Sequence, residues 1–182
     1  MKDNRYEIRL SGSGGQGLIL AGIILAEAAS IYEGKEAVQT QSYGPESRGG
    51  ASKSEVVISD EEIDYPKVTS PDLLLAMTQE ACDKYIGDLK EGAVAIVDSF
   101  FVENWPDSPN IVPLPVTSIA KEATGKTITA NIVALGAITV LSGIVSKESI
   151  EKAILARVPK GTEEINLKAL HSGFDAVSRA DS

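Results

Sequence analysis

The chain has 182 residues, 43% hydrophobic and 24% charged, which is the balance of a globular protein with a sizeable core. A formal net charge of −9 argues against a nucleic-acid partner, which needs clustered lysine and arginine, and fits a cytoplasmic protein. The single cysteine, Cys82, excludes an intrachain disulfide and a cysteine-ligated iron–sulfur cluster or zinc site within the chain. We expect one domain over residues 1–182.

The first two thirds of the chain alternate strand and helix signals. Residues 6–10 alternate apolar and polar side chains, which predicts a strand. The segment LILAGIILAEAASIYEG is apolar nearly all round, which predicts a buried helix that ends at Gly34. A second helix carries Cys82 and Tyr85 on its apolar stripe. Further strands are predicted at AVQTQSY, SKSEVVIS, PDLLLAM, GAVAIVDS and, at an edge because of its prolines, NIVPLPV.

The last third is helical. Thr117 is expected to cap a short helix that ends at Gly125, and Ser146 to cap a later one. Between them, NIVALGAITVLSGIV is an apolar helix that serves either as core or as a docking face. Its apolar run, residues 132–141, is well short of the roughly 20 residues of a membrane-spanning helix, so no membrane partner is expected. The pattern predicts an α/β fold: a mostly parallel sheet, helices on both faces and a helical C-terminal third.

Residues 12–17, GSGGQG, fit G-x-G-x-x-G between a strand and a helix. Such glycines allow a tight turn whose free N–H groups attract an anion. A dinucleotide site also needs an acidic residue at the end of the second strand, and none stands within residues 39–43, which disfavours nicotinamide nucleotides. Three interpretations remain: close packing of strand on helix, another ligand, or a partner chain. The candidate binding residues here are Gly12, Gly14, Gly15, Gln16 and Gly17.

A second glycine-rich stretch, residues 44–50 (GPESRGG), lies between two predicted strands. The guanidinium of Arg48 presents a planar fork that suits carboxylates and phosphates. Arg48 and Gly49 are therefore candidate contacts to a phosphate or to a partner, unless Arg48 is a solvated loop residue or pairs with Glu46. If the first two strands are parallel, both glycine stretches reach the same end of the sheet.

Other polar residues have simpler interpretations. Cys82 lies on an apolar stripe and is expected to be a buried thiol. His171 has no second histidine with which to share a metal. Asp98 and Ser99 end a predicted strand and are expected to be an ordinary polar strand end. The sequence offers no catalytic residues and no metal site.

The segments SGSGGQGLILAGIILAEAA and SYGPESRGGASKSEVVIS together resemble the gamma subunit of 2-oxoacid:ferredoxin oxidoreductases. IDYPKVTSPDLLLAMTQEACDKY, GAVAIVDS and TANIVALGAI continue the resemblance, which covers about residues 6–145. The second motif is most similar to the 2-oxoglutarate branch. The resemblance implies a Rossmann-like α/β fold and a place in an enzyme that decarboxylates a 2-oxoacid, reduces ferredoxin and passes the acyl group to coenzyme A.

The resemblance also implies that the cofactors lie elsewhere. The chain has no G-D-G…N thiamine diphosphate motif and no cysteines for clusters, so thiamine diphosphate and iron–sulfur clusters are expected on partner subunits. We therefore expect a non-catalytic subunit, inactive when isolated, that contacts partner subunits or coenzyme A through the glycine stretches. An exposed apolar patch should allow the isolated chain to self-associate. The alternatives are a stand-alone NAD(P)-dependent reductase and a protein-interaction module with structural glycine loops.

Overall fold

The computed structural model describes residues 4–42 and 51–181. Within them the chain forms six strands and six helices, with short 3-10 helices at Ile86–Asp88 and Thr127–Thr129. The elements, in chain order, are β1 (Arg5–Gly12), α1 (Leu18–Glu33), β2 (Glu36–Ser42), β3 (Ser52–Ser59), β4 (Leu73–Ala76), α2 (Gln79–Tyr85), β5 (Val94–Asp98), β6 (Ile111–Leu114), α3 (Val116–Thr124), α4 (Ala130–Ser142), α5 (Lys147–Arg157) and α6 (Glu163–Ala180). The predicted α/β fold is confirmed.

The six strands form one mixed sheet in the order β2-β3-β1-β4-β5-β6. Strands β1, β4, β5 and β6 pair in parallel, whereas β3 pairs antiparallel with both β1 and β2. The connection between β2 and β3 is too short for a parallel crossover, which needs about a dozen residues, and β3 therefore reverses direction. Because β1 and β2 both oppose β3, they run the same way. Their last residues lie at one edge of the sheet, which we call the carboxyl edge.

Helices cover both faces of the sheet, but unequally. Helices α1, α3, α4, α5 and α6 contribute buried side chains to one large core with alternate residues of the strands. Helix α2 covers the other face, where Ala81 and Tyr85 pack with Leu74 and Ala95. The alternation arises because successive side chains of a strand point to opposite faces. The prediction of helices on both faces is confirmed.

Helix α4 is core. All its residues from Ala130 to Thr139 are buried, because the helix lies within the large core and is covered by α6. The two helices cross at glycines: a Cβ added to Gly173 would lie 2.1 Å from the carbonyl oxygen of Val133. The docking-face alternative for this helix is therefore wrong. Helix α1 is buried on one side but leaves Leu20, Ile31 and Tyr32 exposed, so its predicted burial holds only in part.

The helix ends largely follow the sequence signals. Gly34 ends α1, and the Ser146 hydroxyl accepts a hydrogen bond from the Ser149 N–H at 3.0 Å at the start of α5. The expected cap at Thr117 is wrong. Pro115 holds the capping position of α3, and the Thr117 hydroxyl inside the helix donates to Asp98 Oδ2 at 2.5 Å. A tertiary contact with the end of β5 has replaced the local one.

Candidate functional site

The first glycine stretch forms the turn between β1 and α1 at the carboxyl edge, and we call residues 12–17 the glycine turn. Gly17 has a φ of 71°, a left-handed conformation that favours glycine. A Cβ there would lie 2.5 Å from Asn131 Nδ2, which donates to the Gly17 carbonyl at 3.1 Å. Asn131 is itself buried at the start of α4. The turn is therefore held against the core helix as well as against its own strand.

Gln16 folds its side chain back into the glycine turn. Its Oε1 accepts from the Ser13 N–H at 2.8 Å, and its Nε2 donates to the Met77 carbonyl at 3.4 Å, just beyond the end of β4. A Cβ on Gly12 would lie 2.1 Å from that Oε1. In this arrangement Gln16 supports the turn from within. It also uses one of the N–H groups that a glycine turn ordinarily offers to an anion.

The tip of the turn stays open. Gly14 and Gly15 are exposed, and no residue in the described part of the chain accepts from their N–H groups. The first N–H groups of α1 have no acceptor within the helix either, because the hydrogen-bond ladder begins with the Ala21 N–H donating to the Gly17 carbonyl. These groups are the donors that a carboxylate or phosphate could meet.

A cleft of about 440 Å³ lies in front of the glycine turn. Ser13, Gly14 and Gly15 line it together with the exposed apolar side chains of Phe100, Phe101 and Ile128. These three side chains are 51%, 47% and 74% exposed, respectively, and the two phenylalanine rings meet edge to face with centroids 4.7 Å apart. Backbone donors thus stand opposite a patch of large apolar groups, a combination typical of binding sites and interface cores.

The aromatic residues of this cleft are absent from the set predicted from the sequence. The signal was available: Phe100 and Phe101 follow Ser99, which comes directly after Asp98, the last residue of β5. In an open α/β sheet, ligands gather beyond the carboxyl ends of the strands, and large apolar residues at that place have no core to enter. A smaller cleft of about 290 Å³ shares Gly15 and Ile128 with the first, so the turn borders two depressions.

Arg48 and Gly49, the other predicted site residues, lie outside the described residues. The strands on either side of them are described. Ser42 ends β2 opposite Lys53, and Ser52 begins β3 opposite Gly12 at the carboxyl edge. The Ser52 hydroxyl donates to the Gly12 carbonyl at 3.4 Å. The condition that the first two strands run in the same direction is thus met, and that Arg48 meets the glycine turn stays a prediction.

Asp98 is structural. Its carboxylate is fully buried and accepts from the Phe100 N–H at 3.1 Å as well as from Thr117, which confirms a polar strand end. Cys82 is buried, as predicted, and burial raises the pKa of its thiol. His171 lies on the surface with its Nε2 2.6 Å from Glu151 Oε1. Across residues 4–42 and 51–181, no group of three or more His, Cys, Asp or Glu side chains could hold a metal ion.

A second guanidinium, which sequence reasoning missed, lies on the face covered by α2. Arg9 is 4% exposed; its Nε donates to Glu55 at 2.7 Å and its Nη1 to Asp88 at 2.8 Å. Its Nη2 donates to the Val68 carbonyl at 3.2 Å, and the guanidinium stacks over the Tyr85 ring. With these donors engaged by acceptors from β3, the 3-10 helix Ile86–Asp88 and one loop, Arg9 joins elements of the fold and is not a ligand site.

Comparison with known proteins places this architecture in a family. Residues 7–176 match the family model described as pyruvate ferredoxin/flavodoxin oxidoreductase. The 2-oxoglutarate synthase subunit KorC of Methanocaldococcus jannaschii is 60% identical over 176 residues, which cover 95% of this chain and 94% of that relative. The KorC subunit of Methanothermobacter marburgensis is 53% identical over 180 residues, covering 95% of this chain and 97% of that relative.

Solved structures agree. The keto/oxoacid ferredoxin oxidoreductase gamma subunit from Geobacter sulfurreducens is 58% identical, covers 97% of this chain and 98% of its own, and superposes with a TM-score of 0.88. The chain belongs to the pyruvate ferredoxin/flavodoxin oxidoreductase family. The resemblance stated from the sequence, to a gamma subunit of a 2-oxoacid:ferredoxin oxidoreductase and to its 2-oxoglutarate branch, is confirmed. Within the described residues, no helix is long and apolar enough to cross a membrane.

Proposed function

We propose that the chain is the gamma subunit of a cytoplasmic 2-oxoglutarate:ferredoxin oxidoreductase, in which it forms a single domain over residues 1–182. The observation that carries the substrate is the identity of 60% and 53% to two 2-oxoglutarate synthase subunits over nearly the whole chain. Common gamma subunits of pyruvate/ketoisovalerate oxidoreductases are more distant, at 33% for that of Thermococcus litoralis. Thiamine diphosphate and the iron–sulfur clusters are held by the other subunits, because this chain has no G-D-G…N thiamine diphosphate motif and only one cysteine for a cluster.

The cleft in front of the glycine turn is where this subunit meets the reaction. It combines free backbone donors at Gly14 and Gly15 with the apolar side chains of Phe100, Phe101 and Ile128. Coenzyme A carries groups that match both features. Its phosphates can accept hydrogen bonds from the backbone N–H groups, and its less polar parts can pack against the exposed apolar side chains. Gly12, Gln16 and Gly17 shape the turn, and Arg48 and Gly49, in the stretch of sequence between β2 and β3, are the further residues proposed to bind this ligand. A carboxylate on a partner subunit is the alternative occupant.

The exposed side chains of this cleft also support contact with another subunit. Phe100, Phe101 and Ile128 form an apolar patch of the kind that a docked chain covers. When the other subunits are absent, the same patch is available to a second copy. We therefore expect the isolated chain to self-associate at high concentration, which sedimentation at several concentrations would measure.

Reconstitution tests the subunit assignment. The purified complex should reduce ferredoxin with 2-oxoglutarate and coenzyme A, and omission of this chain during co-expression should abolish that activity. The isolated chain should show no activity and no bound thiamine diphosphate. A complex that prefers pyruvate or 2-ketoisovalerate over 2-oxoglutarate would overturn the substrate, and turnover by the chain alone would overturn the subunit role.

Arg48→Ala and Phe101→Ser test the cleft. If coenzyme A occupies it, each substitution should raise the KM for coenzyme A by about tenfold while leaving the KM for 2-oxoglutarate unchanged. His171→Ala, at an exposed residue outside the cleft, is the control and should change neither constant. Loss of assembly with an unchanged KM in the residual complex would favour the partner carboxylate. Unchanged assembly and kinetics would refute the role of the cleft.

A further inference from the structure

The outer side of strand β2 is a second surface that could bind another chain. Strand β2 is the last strand on one side of the sheet, and no described strand pairs with its outer side. Such an edge strand presents a row of N–H and C=O groups that can pair with another extended chain. We call this surface, together with the flank of α1 above it, the β2 edge.

The two outer strands of the sheet differ in how they are protected. On the far side, β6 has four residues and carries Pro113, which has no N–H to donate. Strand β2 has seven residues, contains no proline, and is uncharged from Ala37 to Ser42. Short length, proline and charged side chains are the usual means of blocking an edge against another chain. The β6 edge has two of them, whereas the β2 edge lacks all three beyond Glu36.

The flank of α1 supplies an apolar surface beside this edge. Ile19, Gly22, Ile23 and Ala26 form one strip, because residues three and four apart share a helix face. The strip lies over the outer strands: a Cβ on Gly22 would be 2.1 Å from the Ser54 hydroxyl oxygen and 3.3 Å from Gln39 Cγ. The two isoleucines are half-buried yet belong to none of the described core clusters. They are available to side chains of a strand added beyond β2.

The features of the β2 edge identify its occupant. An extended segment is needed to meet the backbone of β2, and apolar side chains at alternate positions are needed to meet the strip on α1. A second copy of this chain is the competing occupant, and the experiments below distinguish it from a partner subunit. The ketoisovalerate oxidoreductase subunit VorA of Methanothermobacter marburgensis is 36% identical over 174 residues, which cover only 36% of that relative. There the equivalent unit lies within a longer polypeptide, which has chain to spare for such a segment.

We propose that the β2 edge receives a β-strand from another subunit of the same oxidoreductase, an uncharged extended segment with apolar residues at alternate positions that continues the sheet beyond β2. This interface is separate from the cleft at the glycine turn. It rests on membership of a multi-subunit enzyme and not on the ligand proposed for that cleft.

A lysine placed on the edge tests the proposal. Thr40→Lys adds a long charged side chain next to the central residue of β2, where Thr40 stands opposite Glu55 of β3 and the fold itself can accommodate a cation. A strand added beyond β2 would have to desolvate this charge, so the recovery of assembled complex after co-expression should fall by about tenfold. Thr69→Lys, at an exposed threonine outside the β2 edge, is the matched control and should assemble normally. Thr40→Val keeps strand propensity without charge and should also assemble.

Hydrogen exchange provides the second readout. In the isolated chain, the β2 amides that do not pair with β3 should exchange quickly, and in the complex the same amides should exchange at least about tenfold more slowly. Normal assembly of the Thr40→Lys variant, or β2 amides that exchange equally in both states, would overturn the proposal. So would a Thr40→Lys variant that loses self-association but still assembles, because it would assign the edge to a second copy. Unchanged kinetic constants for Arg48→Ala would bear only on the cleft.

Discussion

Helices α1 and α4 are equally hydrophobic on average but have different environments. Both are apolar on almost every side, and both sit on the large core of the sheet. Helix α4 lies within the large core and is covered by α6, and its first ten residues, Ala130 to Thr139, are all buried. Helix α1 leaves Leu20, Ile31 and Tyr32 exposed, with Ile19 and Ile23 half-buried. An all-round apolar helix thus has two physical explanations: a second layer of its own chain, or a layer supplied by another chain.

The exposed apolar surface of α1 is expected in a subunit of a larger enzyme. The apolar groups that remain at the surface of α1 are not scattered singly over the molecule. Some adjoin the β2 edge, and Leu20 lines the smaller depression beside Gly15. Apolar surface of this kind is retained where a partner covers it, since a monomer exposes large contiguous patches rarely. Helix α4 shows what complete enclosure of an equally apolar helix looks like.

The largest expected effect sharpens this contrast. Leu135 in α4 is 0% exposed, and Leu135→Ala should lower the free energy of unfolding of the isolated chain by about 3 kcal/mol, through lost burial and a residual cavity. Leu20 in α1 is 36% exposed, and Leu20→Ala should lower it by less than about 1 kcal/mol. Urea denaturation of both variants measures the difference. Equal losses would mean that α1 is as fully enclosed as α4.

The second effect concerns how α4 is enclosed. In an open helix, Gly→Ala is stabilising by about 1 kcal/mol. Gly173→Ala should instead destabilise by about 2 kcal/mol, because the added Cβ would lie 2.1 Å from the Val133 carbonyl oxygen, a backbone atom that cannot swing aside. Gly87→Ala is the control, since a Cβ there meets nothing within 4 Å. A stabilised Gly173→Ala variant in thermal denaturation would contradict backbone contact between α4 and α6.

The third effect is a dependence of stability on pH that arises at Tyr6 of β1. Burial, and then the negative charge of Asp72, raise the pKa of Tyr6 from its ordinary value of 10.0 to about 12. The folded chain therefore keeps this proton where the unfolded chain loses it. The resulting stability is complete below pH 10 and is lost as the pH rises through 12. The loss should be about 1 kcal/mol, because the partial exposure of Tyr6 screens the interaction.

Tyr6→Phe measures that contribution. Between pH 10 and 12 the wild type should lose about 1 kcal/mol of stability relative to this variant, because the variant has no phenol at this position to titrate. Tyr65→Phe, at an exposed ring, controls for the loss of a phenol. If the difference in unfolding free energy between Tyr6→Phe and the wild type stays constant across this range, burial does not raise the pKa of Tyr6 as described.

The smallest effect concerns the outer side of α1. Arg157 on α5 donates to the Glu27 carboxylate on α1 through Nε at 3.0 Å, and the pair lies at the surface. Exposed ion pairs contribute little, because water and salt screen them. Arg157→Gln should therefore leave the thermal midpoint unchanged within error, at low and high salt alike. A clear, salt-dependent drop in Tm would show that α5 depends on charge to hold α1.

Much of this architecture could be predicted from local patterns. Period-two and continuous apolar runs located the strands, and Gly34 and Ser146 marked helix ends where the structure has them. The two glycine stretches together indicated the family. The direction of β3 was not readable, because alternation says which face a residue takes and nothing of the neighbour it pairs with. Thr117 was misassigned for a related reason: Asp98, a distant residue, offered a better partner than the local backbone.

The candidate site divides in the same way. The glycine turn was evident from its spacing, since the need for a tight turn is a local property of the chain. The inward fold of Gln16 and the hold of Asn131 on Gly17 depend on Met77 and α4, which reach the turn from elsewhere in the sequence. The place of Phe100 and Phe101 after a strand is readable from the sequence, but that they share a cleft with the glycine turn depends on the order of the strands in the sheet.

By itself, the sequence determined the elements, their order along the chain, and the two motifs that assign the family, because each depends on residues close together in the chain. The tertiary structure decided which apolar helix is enclosed, which edge of the sheet stays open, and where the aromatic wall of the cleft stands. Whether a helix is enclosed depends on the elements that pack against its outer side. Equal hydrophobicity in α1 and α4 therefore led to a complete core around one helix and to open surface on the other.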